Sequence, residues 1–362
     1  MSGVVTFGEI MARLAPPGFQ RLQQGLPGVL NVTFAGAEAN VAASLSFMGE
    51  KAKFVTALPD NDLARACAAT LRSTGVESHL IWTEKGRLGL YFLETGANQR
   101  PSRVIYDRDY SSVSLTPSDE YDWDSILQEA DWFHVTGITP AISEAAAKAT
   151  LDAVQQAKSK GLTVSCDLNF RGKLWKWREG STSRELAGEV MPEIVKSIDI
   201  LIANEEDCGD VLGIRASGSD VASGLLEAER YPDVARQVVG QFPNIKMVAT
   251  TLRQSLSASF NRWGAMLYDA QSDQPFFSPT NDGVYQPFEI RNIVDRVGGG
   301  DSFAAGLIFA LRSDEYQDFQ SVLNYATAAS CLAHSIEGDF NFSSRSEIEA
   351  LASGNSSGRV VR

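Results

Sequence analysis

Asp295-Arg296-Val297-Gly298-Gly299-Gly300-Asp301-Ser302-Phe303-Ala304-Ala305-Gly306 decides how this chain is read. Three glycines lead into an aspartate. Beyond it Ala304, Leu307, Ile308 and Leu311 form the i, i+3, i+4, i+7 apolar stripe of a buried helix face. Glycines before a helix let backbone N–H groups point at an anion, and the helix N-terminus adds positive potential. Asp301 sits beside that anion site, where a carboxylate repels a resting phosphate. Two readings of it stand. It takes a proton from a hydroxyl that attacks a phosphoryl group, or it caps the helix, Asp being a favoured N-cap.

Outward from this stretch, helices alternate with short apolar strands. Strands are expected at 4–8, 29–34, 53–57, 131–135, 162–167, 198–202 and 245–250. Helices are expected at 37–48, 62–73, 143–160, 231–241, 302–311 and 318–334. From residue 131 onward this pattern predicts a parallel sheet covered on both faces. Such sheets bind ligands beyond the carboxyl ends of their strands. Two polar clusters fall there, Asp167-Leu168-Asn169-Phe170-Arg171 and Asn204-Glu205-Glu206-Asp207. The β-rich pieces at about 12–36 and 87–112, the second with a hairpin of 88–94 and 103–106, fall outside the alternation. They read as a small sheet that closes over the site. Asn261-Arg262-Trp263-Gly264 reads as a tight turn between two strands. Residues 1–352 are taken as one domain, and the Ser/Gly-rich residues 353–362 as a flexible tail.

Composition excludes several classes. With 362 residues, 44% hydrophobic and 21% charged, the chain is long enough for a large core. A formal net charge of -13 argues against nucleic-acid or anionic-membrane partners, so an anionic ligand depends on individual arginines. Cys67, Cys166, Cys208 and Cys331 form no CxxC and read as reduced thiols of a cytoplasmic protein. His79, His134 and His334 pair neither with each other nor with the cysteines, which argues against zinc. Neither a signal peptide nor a membrane span is expected.

Two motifs carry a family likeness. Gly36-Ala37-Glu38-Ala39-Asn40-Val41-Ala42 resembles the N-terminal signature of the ribokinase-like (PfkB) carbohydrate kinases, and Gly298-Gly299-Gly300-Asp301-Ser302-Phe303 their C-terminal GAGDxF signature. Both lie at the expected ends, and the likeness covers nearly the whole chain. It implies a ribokinase-like three-layer α/β/α domain with a mainly parallel central sheet and a small β lid. It also implies ATP as donor and Mg2+ as escort of its phosphates. Within the family, Arg87–Glu94, Val104–Arg108, Asp167–Arg171 and Gly338-Asp339 resemble the 2-keto-3-deoxygluconate kinases. That likeness implies phosphorylation of the sugar acid's terminal hydroxyl. The rivals are a kinase for keto-deoxygalactonate, fructose or ribose, a non-catalytic sugar-acid sensor, and a dinucleotide-dependent oxidoreductase. No GxGxxG follows the first strand, which argues against the last.

The resemblance assigns roles by residue. Gly298, Gly299 and Gly300 form an anion hole and Asp301 acts as base. Gly36, Asn40, Tyr91, Tyr106, Arg108, Arg171, Asp301 and Asp339 hold the sugar. A neutral sugar needs no guanidinium, whereas a carboxylate suits its planar fork, so Arg108 and Arg171 discriminate most; the resemblance implies Tyr106 and Arg108 at the keto-acid end and Arg171 near the phosphoryl path or the acid group. A surface pair of Arg108 with Asp107 or Asp109 is the alternative. Asn169, Asn204, Thr251, Arg253, Gly298 and Gly300 are placed at the nucleotide. Asp207 stands where the family has a glutamate that organises Mg2+, and Glu206 is its neighbour; both are expected to act through water. Family members often bind a monovalent cation near the aspartate matching Asp295. Here Arg296 and Val297 replace the usual threonines, and Arg296 is expected to change or remove that dependence. Lid strands in this family often pair between subunits, so a homo-oligomer is expected.

Overall fold

The computed structural model describes residues 2–204, 206–215 and 228–355. Glu205 and residues 356–362 of the expected tail therefore lie outside the described residues.

The strands, in chain order, are β1 (Gly3–Phe7), β2 (Met11–Ala15), β3 (Asn31–Ala35), β4 (Ala52–Pro59), β5 (Glu77–Thr83), β6 (Gly89–Glu94) and β7 (Arg103–Asp107). There follow β8 (Ala130–Thr136), β9 (Thr163–Asp167), β10 (Ile200–Ala203), β11 (Met247–Ser257), β12 (Phe260–Asp269) and β13 (Gln274–Ser278). The short β14 (Thr280–Asn281) and β15 (Val284–Tyr285) precede β16 (Phe288–Arg291). The central sheet runs β13-β12-β11-β10-β9-β8-β1-β4-β5, with β16 also on β12. From β11 through β5 every neighbouring pair is parallel. Only β12 with its partners β11, β13 and β16 is antiparallel.

Burial on both faces explains why the parallel strands read as continuous apolar runs rather than alternating ones. In β10, Leu201 and Ala203 enter one core while Ile200 and Ile202 enter the other. The first core is closed by the helices Glu144–Ser159, Ser183–Val195 and Tyr231–Gln241, through residues such as Val154, Met191 and Val238. The second is closed by Ala37–Phe47, Asp62–Ser73, Gly299–Arg312 and Phe319–Ala333, through Leu45, Leu71, Leu307 and Leu323. Local sequence sets where helices begin. Asn61, Ser143 and Asp318 accept from Ala64, Ala146 and Ser321 amides, as N-caps do.

Two expectations differ. Asn261–Gly264 is not a turn but lies inside β12, and the chain reverses earlier, between Ser257 and Phe260. Strand alternation buries Asn261 and Trp263 and exposes Arg262. Gly264 is needed because Tyr285 packs on it: an added Cβ would lie 2.3 Å from Tyr285 Oη. The helix Ser183–Val195 has no counterpart in the sequence reading. Pro192 and Gly188 both disfavour helix. A capping box between Thr182 and Glu185, and burial of Leu186, Met191, Ile194 and Val195, outweigh them.

A second, four-stranded sheet has the order β3-β2-β6-β7. Its hairpins β2–β3 and β6–β7 are antiparallel and join through a parallel β2–β6 pair. Its inward face buries Met11, Ala15, Ala35, Tyr91 and Leu93, with Val104, Tyr106 and Val297 packed against them. Among the described residues no helix is long and apolar enough to cross a membrane.

Phe133, on β8 at the middle of the central sheet, is fully buried and meets Trp123 edge-on at 5.9 Å. Phe133→Ala is expected to lower unfolding free energy by roughly 3–5 kcal/mol, read as a lower urea midpoint at unchanged slope. A loss under about 1 kcal/mol would contradict this packing.

Candidate active site

A cavity of about 400 Å³ lies between the two sheets. Asp167 at the end of β9 and Ala203 and Asn204 at the end of β10 form its floor. This is the carboxyl end of the parallel strands, as open α/β sheets favour. Met11, Tyr91, Val104 and Tyr106 of the small sheet form its roof, and Gly298 to Asp301 form one wall.

That wall is made by the glycines. Gly298 is the N-cap of Gly299–Arg312 and takes φ +83. A side chain there is excluded twice, by the left-handed backbone and by Asp339, whose carbonyl oxygen would lie 2.3 Å from an added Cβ. Ser302 donates to the Gly298 carbonyl through both its amide and its hydroxyl at 2.8 Å, and Ser330 Oγ donates to the Gly299 carbonyl at 2.6 Å. The amides of Gly299, Gly300 and Asp301 precede the first intrahelical bond, as at any helix start, and border the cavity.

Asp301 is therefore not the cap. It lies in the first helical turn, buried, with Asn40 Nδ2 donating to its Oδ2 at 2.7 Å. Asn40 Oδ1 in turn accepts from the Gly36 amide at 3.2 Å, so both signature motifs meet here. Burial pushes the Asp301 carboxyl up to about 6; the charge of Asp339 adds to this, while Asn40 and Arg171 oppose it. Nearby, Glu38 is buried to a similar end. Desolvation pushes it up to about 7 even though Thr136 and Thr139 donate to its Oε1.

The arginines divide. Arg108 does not pair with Asp107, which belongs to Arg87. Arg108 is buried, donates through Nε and Nη2 to Glu9 Oε2, the former at 2.7 Å, and lies over the Tyr106 ring. Arg171 also lines the cavity, but among the described residues it makes no ion pair; its Nη1 donates to the Phe170 carbonyl at 3.3 Å. Its charge opposes the effect of burial at Asp167, Asp207 and Asp301 alike. Arg296 turns its side chain away from Asp295. Only its backbone amide meets Asp295, at 2.7 Å, while its guanidinium donates to Asn261 Oδ1, Ser255 Oγ and the Ser257 carbonyl.

Most expected site residues border this one cavity. Gly36, Asn40, Tyr91, Tyr106, Arg108, Arg171 and Asp339 do so, as do Asn169, Asn204, Thr251, Arg253, Asp207 and the glycines. Glu206 does not; it is exposed, and its amide binds Asn204 Oδ1. Asp207 spends Oδ1 on the Phe170 amide and Oδ2 on the Asn204 amide. No group of three or more His, Cys, Asp or Glu among the described residues is arranged to hold a metal ion. An Mg2+ fits here only as an ion carried by phosphate oxygens and water. The carboxylate of Asp339 is likewise occupied, by Arg13 Nη1 at 2.6 Å and Tyr91 Oη at 2.8 Å. Glu9 and Arg13 escaped the sequence reading, while Asp167, which lines the cavity, was placed at this end of the sheet without a role. Arg13 carries no motif, being one charge in the apolar run Met11–Ala15.

Residues 1–231 match the model of the pfkB family carbohydrate kinases. The chain is 45% identical to a solved 2-dehydro-3-deoxygluconokinase from Thermotoga maritima, with a TM-score of 0.87 over 98% of this chain and 100% of that one. It is 31% identical to the 2-dehydro-3-deoxygalactonokinase of Haloferax volcanii over 98% of each chain. It is 32% identical to a fructokinase of Solanum tuberosum over 86% of this chain and 82% of that one. The chain belongs to the pfkB family of carbohydrate kinases and has their ribokinase-like fold.

The hydrogen bond from Asn40 favours the ionised form of Asp301, so Asn40→Ala is expected to raise its carboxyl above about 6. Carbon-13 titration of labelled aspartate checks this. An unchanged or lower value would contradict the Asn40–Asp301 contact.

Proposed function

We propose that this carbohydrate kinase transfers the γ-phosphoryl group of ATP to the terminal hydroxyl of 2-keto-3-deoxygluconate. The observation that carries the substrate class is Arg171. It faces the cavity without a carboxylate partner among the described residues, while Arg108 is already matched by Glu9. A neutral sugar leaves that charge with only the longer-range fields of Asp167, Asp207 and Asp301, and a carboxylate adds charge-assisted hydrogen bonds. The relatives alone do not decide, because a fructokinase and a keto-deoxy-acid kinase stand at 32% and 31% identity. The solved gluconokinase at 45% favours the acid. The Haloferax volcanii relative keeps the galactonate epimer as a second reading.

In this reading Gly36 and Asn40 hold sugar hydroxyls, and Tyr91 and Tyr106 border the sugar. Tyr106 and Arg108 shape the acid end and Arg171 supplies the charge. Asp339 acts on the sugar only through its place beside Tyr91. Asn169, Asn204, Thr251 and Arg253 border the nucleotide, and the Gly298–Gly300 amides face its phosphates. The sugar oxygen forms a bond to phosphorus as the bond to ADP breaks, and its proton passes to Asp301. A carboxyl near 6 is a better proton acceptor than an ordinary aspartate, yet is ionised at neutral pH. Mg2+, when bound, neutralises charge on the transferred phosphoryl group, with Asp207 behind water. The small sheet acts as a lid that excludes water. Its exposed Val32 and Ile105 suit pairing with a second copy, a cytoplasmic homo-oligomer.

Three outcomes are expected. The kcat/KM for the sugar acid falls as pH drops through about 6, because protonated Asp301 cannot accept a proton. Asp301→Asn lowers kcat by roughly 10²- to 10⁴-fold at all pH values. Arg171→Ala raises KM for the sugar acid roughly 10- to 100-fold, the range of a lost hydrogen bond to a charged group. It leaves the KM for fructose unchanged, while kcat for either sugar follows the shift that loss of Arg171 brings to Asp301. Efficient turnover of fructose or ribose by the wild type, with a KM untouched by Arg171→Ala, would refute the acid reading and keep the kinase.

A further inference from the structure

We infer that Arg13 is a positioning residue that fastens the lid to the glycine turn and sets that turn for the nucleotide phosphates. The inference rests on the reading of Gly298–Gly300 as the phosphate-binding element.

Arg13 lies on β2, on the inward face of the small sheet, in register with Tyr91 on β6. Its side chain is about 5% exposed. Nη1 donates to Asp339 Oδ1 at 2.6 Å and Nη2 to Asp295 Oδ2 at 2.5 Å. Both carboxylates are buried as well, so this is a cation between two anions with little solvent around any of them. Breaking such an arrangement leaves uncompensated buried charge, so the three groups hold their positions together.

Each aspartate then grips the turn from behind. Asp295 Oδ1 accepts from the amides of Arg296 and Val297 at 2.7 and 3.2 Å, the two residues that lead into Gly298. Its Oδ2 accepts from the Gly338 amide at 3.2 Å, which ties in the chain before Asp339. Asp339 packs its backbone carbonyl against Gly298 closely enough to exclude any Cβ. The left-handed Gly298 is thus held between a loop anchored by Asp295 and a backbone anchored by Asp339, and Arg13 joins the two anchors. The amides of Gly299 and Gly300 and the carboxylate of Asp301 follow directly from that turn.

The donors on Asp339 both come from the lid, since Tyr91 Oη reaches the same carboxylate at 2.8 Å. Tyr91 is also paired with Tyr106 across β6 and β7, one strand from the acid end of the cavity. A shift of the lid therefore displaces the anchors of the turn, and a shift of the turn displaces the lid. Misplacement by about 1 Å can lower a rate by about 10²-fold, which is the scale on which Arg13 acts without touching either substrate.

The test compares wild type, Arg13→Lys, Arg13→Ala and the double variant Arg13→Met with Asp339→Asn. The double variant keeps the trio's net charge, which guards against simple unfolding of Arg13→Ala; cooperative unfolding and far-ultraviolet dichroism check each fold. Affinity for a non-hydrolysable ATP analogue with Mg2+ is measured by calorimetry, which needs no sugar. A wild type that binds nucleotide but does not phosphorylate the sugar acid would refute the proposed substrate and leave this test intact. Folded variants are expected to bind the analogue at least tenfold more weakly, with Arg13→Lys intermediate. Where the sugar acid turns over, kcat falls about 10²-fold and its KM changes less than threefold. Guanidinium ion, but not sodium chloride at equal ionic strength, restores part of the loss in Arg13→Ala. Nucleotide affinity equal to wild type in the folded double variant would overturn the inference. So would a loss in Arg13→Ala that guanidinium and sodium chloride reverse equally.

Discussion

Burial of carboxylates is the constraint on which the site depends. Glu9, Glu38, Asp167, Asp207, Asp295, Asp301 and Asp339 are all buried in one region of a chain that is already strongly acidic. An isolated buried carboxylate is costly, and in practice it neutralises or finds donors. The solutions differ by residue. Asp207 takes two backbone amides, and Glu9 takes a guanidinium. Asp295 and Asp339 share one guanidinium and add amides or a phenol. Glu38 receives donors on one oxygen and still stays near 7. Asp301 receives a single side-chain donor among the described residues, from Asn40. Of this set, Asp301 is a group whose burial is left only partly compensated at a cavity wall, and such groups are where proton transfer is found.

The glycine turn follows from the same constraint. A helix start with free amides invites an anion, and Asp295 and Asp339 lie close behind this one. Asp295 and Asp339 would compete for those amides if they were unpaired. Arg13 holds them behind the turn, and Asp295 caps the approach amides of Arg296 and Val297 instead of those of the glycines. The front of the turn is left for an outside anion. In the proposed reading, one buried cation from the small sheet thus keeps Asp295 and Asp339 off the surface that faces the phosphates, and Asp301 is the acid group left beside it.

Much of this was legible in the sequence where the signal is local. The helix Asp62–Ser73 begins and ends as its periodicity and its Asn61 cap require. The parallel strands, the two signature motifs and the hairpin of β6 with β7 carry the same short-range marks. What escaped is long-range or context-dependent. Arg13 meets Asp295 and Asp339 across 282 and 326 residues, and no spacing rule links them. Arg108 has aspartates on both sides in sequence, yet strand alternation turns it inward to Glu9. Arg296 sits beside Asp295 in sequence, but its side chain leaves toward Asn261 on β12. Asn261–Gly264 looks like a turn because its glycine serves a packing contact with Tyr285 rather than a reversal. For Arg108 and Arg296, neighbours in the chain were not neighbours in charge.

The arginines make the last distinction. A guanidinium matched by a buried carboxylate offers shape and leftover hydrogen bonds but little net attraction, because the pair is nearly neutral from a distance. That describes Arg108 with Glu9. An arginine without such a partner extends its field to every group around it, and Arg171 does so at Asp167, Asp207 and Asp301. Its field favours the ionised form of each, including the carboxylate read here as the base. A substrate acid group paired with Arg171 takes up part of that field. Asp301 then loses some support for its charge and gains proton affinity while the sugar is bound. In the proposed reading the acid end of the substrate therefore serves recognition and, through the same guanidinium, strengthens the group that receives the proton.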